Sequence, residues 1–393
     1  MRNGLPPEAE LYRQVEDKLR ETFELWGYRE VRSPAIEYAD VLSVGVGSKL
    51  ADDMFKFQDA DGKVLALRAE MTIPAARIAT SKLASTPKPL RLCYIANVFR
   101  RRSKVGRARE FWQAGVELVG EGGASGDAEV LALLVDALNS IGLRELRIDA
   151  SHAAILKESA ERLGLSAGER ASFFTIASHK DFSRVEAFLE EKEAPGDLAA
   201  AVKKMFKCSR VAELGGALDD LEAYPSVKQC LLNLLEINGR LKDLGFKDEL
   251  FFDFALTKGM EYYTGIIFEV SLPALGFPIA GGGRYDELLK IFGEDLPATG
   301  FAIDVDGCIE ALKKLGQPSA PSKRMKVLLK ADSLKAGGRL ASRLREHGVA
   351  AILSVKVDEG RLKKLAESYG VDLIIKLAGE GASLVDARKG TER

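Results

Sequence analysis

Phe99–Glu117 reads FRRRSKVGRAREFWQAGVE: five arginines and a lysine against two glutamates, with Gly106 at its centre and an apolar run on either side. Upstream lies LRLCYIANVF (90–99) and downstream FWQAGVELVG (111–120), both strand-like in their β-branched and aromatic content. Two strands joined by a charged, glycine-bearing connection predict an antiparallel pair whose loop side chains point over a sheet face.

Working outward, Glu8–Trp26 places Leu11, Val15, Leu19, Phe23 and Trp26 at helical spacing, led in by Pro6 and Pro7 and ended by Gly27. YREVRSPAIE follows as a short strand broken by Pro34, and the segments 54–57 and 64–68 flank Asp59-Ala60-Asp61-Gly62, a hairpin signal. Asp127–Ile141 predicts a second amphipathic helix and ELRIDAS another strand. Between about 152 and 247, Leu, Ala, Glu and Lys dominate and strand alternation vanishes, which predicts a helical insertion. Strands are expected again at 251–256 and 264–272, separated by TKGMEYY. After AGGGRYDELL and ATGFAIDVDGCIEAL, the stretch around 317–322 has the composition of a linker. From 323 to 393 strand and helix patterns alternate, predicting a small α/β domain behind a core of residues 1–316.

Composition bounds the function. At 393 residues, with 46% hydrophobic and 29% charged residues and a net charge of -1, this is an ordinary globular chain. Cys93, Cys208, Cys230 and Cys308 form no CxxC pair, and His152, His179 and His347 form no ligand cluster, so no metal is expected. MRNGLPPEAELYRQ lacks an apolar signal core and no run of eighteen apolar residues occurs, so a cytoplasmic protein without a membrane partner is expected. Charge is uneven: residues 323–393 carry +7 and residues 1–322 carry -8, which keeps an RNA contact in view.

These motifs in this order resemble the class II aminoacyl-tRNA synthetases, and most of all histidyl-tRNA synthetase, over nearly the whole chain. GYREVRSPAIE corresponds to the first motif, with Pro34 at the dimer-forming strand; FRRRSKVGRAREFWQAGVE to the second; KGMEYYTGIIFE to the histidine loop; GGGRYD and GFAI follow. The resemblance implies an α+β fold: a mostly antiparallel sheet with flanking helices, the helical insertion, and a C-terminal domain like a truncated anticodon-binding domain. It also implies a histidine pocket, in which Glu70, Thr72 and Gln113 hold the α-ammonium while Glu117, Tyr263 and Tyr285 read the imidazole. Carboxylates for the cationic parts and hydroxyl or amide groups for orientation suit such a ligand. Taken singly, Glu70 would pair with Arg68 or another arginine on the sheet and the tyrosines would simply pack; six positions filled within four ordered segments, LRAEMT with Glu70 and Thr72, the second motif, the histidine loop and GGGRYD, favour the ligand. AGGGRYD lacks the layout and the terminal Lys-Ser/Thr of a phosphate loop and is expected to make tight turns around Tyr285. His152 is expected to pack or cap, and the Lys/Glu alternation from 186 to 206 to form a solvated helix face.

The nucleotide half departs from the family's pattern. The second motif should begin Phe-Arg-x-Glu, and Arg102 stands at the carboxylate position; the histidine loop should open with arginine, and Lys258 lacks that planar fork. The third motif should end Gly-x-Glu-Arg, but Asp304 takes the small position, pointing a charge at a triphosphate, and Gly307 takes the arginine's place. Each lost charge-assisted contact costs about 1.5–3 kcal/mol, so adenylation falls on the order of thousands-fold. Arg100 and Arg109 remain as anion-binding candidates. This pattern resembles the regulatory subunits of ATP phosphoribosyltransferase. What that implies is no catalytic residue and no cofactor of its own, and a short-form catalytic subunit as partner in a hetero-octamer, whose reaction uses Mg. It further implies a homodimer through the first motif and histidine as effector of the first step of histidine biosynthesis; tRNA is not an expected partner. A working histidyl-tRNA synthetase, and a histidine-sensing or RNA-binding paralogue without this partner, stand as alternatives.

Overall fold

The computed structural model describes residues 4–45, 47–101, 109–246, 250–256, 262–273, 275–316, 325–378 and 381–387. The chain divides into two compact units, Met1–Pro318 and Ser319–Arg393. The expected linker at 317–322 lies outside the described residues.

In the first unit the strands are β1 (Arg29–Glu30), β2 (Ile36–Tyr38), β3 (Lys56–Gln58), β4 (Val64–Leu67), β5 (Leu90–Phe99), β6 (Glu110–Val119), β7 (Arg147–His152), β8 (Phe251–Phe252), β9 (Ile266–Ser271), β10 (Pro278–Arg284) and β11 (Ala298–Asp304). One large sheet has the order β1-β5-β6-β11-β10-β9-β7-β8. Its ladders from β5 through β7 are antiparallel, and the edge pairs β1/β5 and β7/β8 run parallel. The predicted pair around the arginine loop is β5/β6, with Leu92 opposite Glu117, Tyr94 opposite Gly115 and Ala96 opposite Gln113.

That register decides which residues share a face. Cys93, Ala114, Val116 and Leu118 turn to the core, where they meet Leu19 and Phe23 of the helix Glu8–Leu25 and Leu131 and Leu134 of the helix Gly123–Ser140. Each fully buried large side chain there contributes about 1.5–3 kcal/mol. Tyr94, Gln113, Gly115 and Glu117 turn to the opposite face, which the core leaves free for polar groups.

Pro34, which has no N–H to donate, separates β1 from β2; β2 then joins a second, three-stranded sheet of order β2-β4-β3. The predicted hairpin closes at Gly62, whose φ of 78° needs glycine, with the Asp59 carboxylate accepting from the Asp61 and Lys63 amides. The expected strand at 251–256 shrinks to Phe251–Phe252, and that at 264–272 is Ile266–Ser271.

The glycine run does not make tight turns. Gly281, Gly282 and Gly283 lie inside β10, paired on both sides. A Cβ on Gly282 would overlap the Gly300 carbonyl oxygen, and one on Gly283 would overlap the Ile266 carbonyl oxygen and lie 3.0 Å from the Tyr263 ring. Close approach between neighbouring backbones, not turning, is what requires glycine.

The insertion is helical from Ala153 to Asp243 in its main elements. Ser166 and Glu169 form a capping box, and Asp181 accepts from the Arg184 amide. His152 caps the first of these helices, its Nδ1 accepting from the Ala154 amide at 3.3 Å. The Lys/Glu alternation is a solvated face with pairs such as Lys203–Glu190 and Lys207–Glu186.

The second unit has β12 (Lys326–Ala331), β13 (Ala350–Val355), β14 (Leu373–Ala378) and β15 (Gly381–Asp386), in the order β13-β12-β14-β15, parallel except for β14/β15. Helices Leu334–Glu346 and Glu359–Tyr369 connect them; Asp358 caps the second and Gly370, at φ 56°, ends it. Among the described residues no helix is long and apolar enough to cross a membrane.

Candidate ligand-binding cleft

On the face of the large sheet opposite the core lies a cavity of about 210 Å³. Its lining includes Glu70, Met71, Thr72, Arg100, Phe111, Gln113, Tyr262, Tyr263, Tyr285, Gly281, Gly282, Gly300 and Asp304. Five of the six residues expected to hold histidine therefore line one cavity. The sixth, Glu117, is 1% exposed and does not itself line the cavity; its carboxylate lies behind Gly300, which does.

Local structure explains each placement. Glu70 precedes the helix Thr72–Thr80 and accepts from the Thr72 amide at 2.7 Å and the Ile73 amide at 2.8 Å, one on each carboxylate oxygen. It does not pair with Arg68, whose guanidinium goes instead to the Ser33 and Asn97 carbonyl oxygens and the Asn97 side chain. Burial pushes the Glu70 carboxyl up despite those amides. Gln113 comes from β6; its side-chain oxygen is buried and has no partner among the described residues. A buried acceptor left open at a cavity wall marks the place where a ligand donor belongs.

Glu117 stands across the ladder from Gly300, and a Cβ on Gly300 would overlap its carboxylate. The carboxylate thus fills the space of a missing side chain on the wall of the cavity. The Tyr285 hydroxyl donates to its Oε2 and the Tyr94 hydroxyl to its Oε1 at 3.3 Å. Burial raises its carboxyl to about 8, offset in part by those hydroxyls. Tyr263 takes a hydrogen bond from the Tyr262 hydroxyl at 3.2 Å, with ring centroids 4.4 Å apart, and Tyr262 meets Tyr285 edge-on.

Of the positions that depart from the synthetase pattern, Asp304 alone lines the cavity among the described residues. Arg100 is already engaged: its Nε donates to the Ala69 carbonyl at 2.9 Å and its guanidinium lies 5.1 Å over the Phe111 ring. Arg109 is exposed and does not line the cavity, although its carbonyl takes the Arg100 amide. Asp304 lines the cavity and also caps the helix Val305–Lys314 by accepting from the Gly307 amide at 3.0 Å. Gly307 contributes that amide and no side chain. Arg102 and Lys258 lie outside the described residues, as does the body of the arginine loop. Among the described residues no cluster of His, Cys, Asp or Glu is arranged to hold a metal.

Sequence reading missed Tyr262, Glu269 and Tyr94. Tyr262 and Glu269 line the cavity, and both stand inside the quoted histidine loop, so proximity to Tyr263 was an available signal. Tyr94 was not findable in this way, because only the β5/β6 register brings it to Glu117. It also missed Arg284, buried behind the cleft against Asp127, with 8% and 1% of the two side chains exposed.

Comparison with known proteins fits this arrangement. A histidyl-tRNA synthetase family profile matches residues 1–308. The chain is 37% identical over 348 residues to the ATP phosphoribosyltransferase regulatory subunit of Caldanaerobacter subterraneus subsp. tengcongensis, covering 88% of this chain and 90% of that one. It is 34% identical over 393 residues to the protein of the same name from Desulforamulus reducens, covering 98% and 96%. Among solved structures, an ATP phosphoribosyltransferase regulatory subunit/histidyl-tRNA synthetase from Bacillus halodurans superposes with a TM-score of 0.83 at 28% identity, covering 96% of this chain and 97% of that one.

Proposed function

The chain belongs to the ATP phosphoribosyltransferase regulatory subunits, a family with the histidyl-tRNA synthetase fold, and we propose that it governs a partner's phosphoribosyl transfer while doing no chemistry itself. In this reading it joins a short-form catalytic subunit in a cytoplasmic hetero-octamer, its own copies pairing through the first synthetase motif. The partner needs it for activity, and histidine in the cleft inhibits the assembly. A coupling of about 1–3 kcal/mol between two assembly states suffices for such control.

One observation carries the reading: the amino-acid end of the cleft is built and open, with the Gln113 oxygen unpartnered beside Glu70 and above Glu117. In this reading the nucleotide end binds a triphosphate weakly, which agrees with the Arg100 Nε donating to the Ala69 carbonyl oxygen, the Arg100 guanidinium lying over Phe111, and the negative charge that Asp304 adds to the cavity lining. The insertion argues against tRNA: residues 153–243 carry 13 basic and 15 acidic side chains, and Lys203, Lys204 and Lys207 pair with carboxylates. A surface without net positive charge gains little from a phosphate backbone.

Titration calorimetry with histidine and with ATP, followed by phosphoribosyl-transfer assays on the co-purified catalytic subunit, tests this. Histidine binding, absence of ATP binding and histidine-inhibited activity are expected. ATP binding without histidine binding, or histidine-dependent pyrophosphate exchange at an ordinary synthetase rate, overturns it.

A further inference from the structure

Glu117 is held by a tyrosine hydroxyl on each oxygen, Tyr94 on Oε1 and Tyr285 on Oε2. The titratable groups that face it are Tyr28, Tyr94, Tyr262, Tyr263, Tyr285 and the Glu70 carboxyl. No cation pairs with it among the described residues; Arg100, the cation in the cavity lining, acts on Glu70. Glu70 lines the cavity and Glu117 lies directly behind Gly300 in its wall, so two carboxyl groups stand at one site. Such a pair resists double ionisation until a positive group enters between them.

We infer that the cleft takes histidine with its ring as an imidazolium, the ring nitrogen receiving the proton that Glu117 carries in the empty protein, so that effector binding is linked to pH. This rests on the histidine reading above. The proton leaves a Glu117 oxygen and goes to one ring nitrogen; the ring N–H then donates back to the carboxylate, forming a charge-assisted hydrogen bond.

The linkage has a definite shape. The free ring titrates near 6.5 and the empty protein's Glu117 at about 8. Between these values the proton moves within the complex and none is exchanged with solvent. Above about 8 Glu117 is already ionised, the ring must draw a proton from water, and affinity falls by about tenfold per pH unit. Below about 6.5 histidine arrives protonated, a proton must be expelled, and affinity falls again.

Calorimetry of the full chain with histidine, in buffers of differing ionisation heat, counts the protons. Near-zero exchange is expected at pH 7.2, with uptake growing toward one proton at pH 8.8. Glu117→Gln binds about tenfold or more weakly at pH 7.2 and lacks that uptake; any uptake from the ligand's own amine persists in the variant, so the difference isolates Glu117. Tyr94→Phe, which removes a donor to the ionised carboxylate, moves the alkaline fall in affinity to higher pH. Equal proton uptake by the parent and the Glu117→Gln protein overturns the inference while leaving the sensor reading intact. Absence of histidine binding by the parent at every pH overturns both.

Discussion

Glu117 also makes stability depend on pH in a way that can be worked out in advance. Its carboxyl is raised by burial from an ordinary 4.5 to about 8 in the folded protein. A group raised on folding favours the folded state fully below its unfolded value, and that contribution is lost as pH climbs through the folded value. The window is therefore about pH 4.5 to 8, a difference of about 3.5 pH units that corresponds to roughly 5 kcal/mol at about 1.36 kcal/mol per unit. Glu117→Gln keeps one acceptor oxygen for a tyrosine hydroxyl, presents an NH2 that donates to the other hydroxyl, and cannot ionise. Urea denaturation of both proteins from pH 5 to 9 measures the effect. Glu70 is raised as well, so both profiles slope; the expected result is that the parent loses several kcal/mol more than the variant across the window. Parallel profiles refute the assignment of a buried, protonated carboxyl at this position.

His152 works in the opposite sense: burial lowers its imidazole to about 4, so its contribution is present above about 6.5 and lost as pH falls through 4. His152→Asn preserves a capping acceptor for the Ala154 amide and is expected to remove up to roughly 3 kcal/mol of acid destabilisation, read from thermal unfolding between pH 3.5 and 7. Gly300→Ala places a methyl against the Glu117 carboxylate and the Val116 carbonyl oxygen, in a central strand with no room to shift. It is expected to cost about 1–3 kcal/mol and abolish histidine binding, with denaturation and calorimetry as the measures. Arg284 donates to both Asp127 oxygens and also to Asp286 and the Glu121 and Gly123 carbonyls. Arg284→Met, which strands Asp127, is expected to cost about 3–5 kcal/mol in urea, and adding Asp127→Asn should restore part of it.

The local code was legible where one short-range rule governs. The β5 and β6 strands, the hairpin at Gly62 and the insertion's helices follow from periodicity, caps and left-handed positions that neighbours in sequence fix. The ordered motifs likewise named Glu70, Thr72, Gln113, Tyr263 and Tyr285 before any geometry, and all five line one cavity. The glycine run misled because glycine signals either a turn or a close backbone approach, and the clash partners of Gly282 and Gly283 come from β9 and β11.

Sequence by itself determined the elements, the fold class and the roster of polar residues suited to an amino acid, because propensity, periodicity and motif order are local properties of the chain. Only tertiary structure decided what those residues do to one another. The β6/β11 register set Glu117 against Gly300, helix capping claimed Glu70 and Asp304, and Ala69 and Phe111 took Arg100. Charge, burial and hydrogen-bond partnership are set by groups far apart in the chain, and the fold alone brings them within reach.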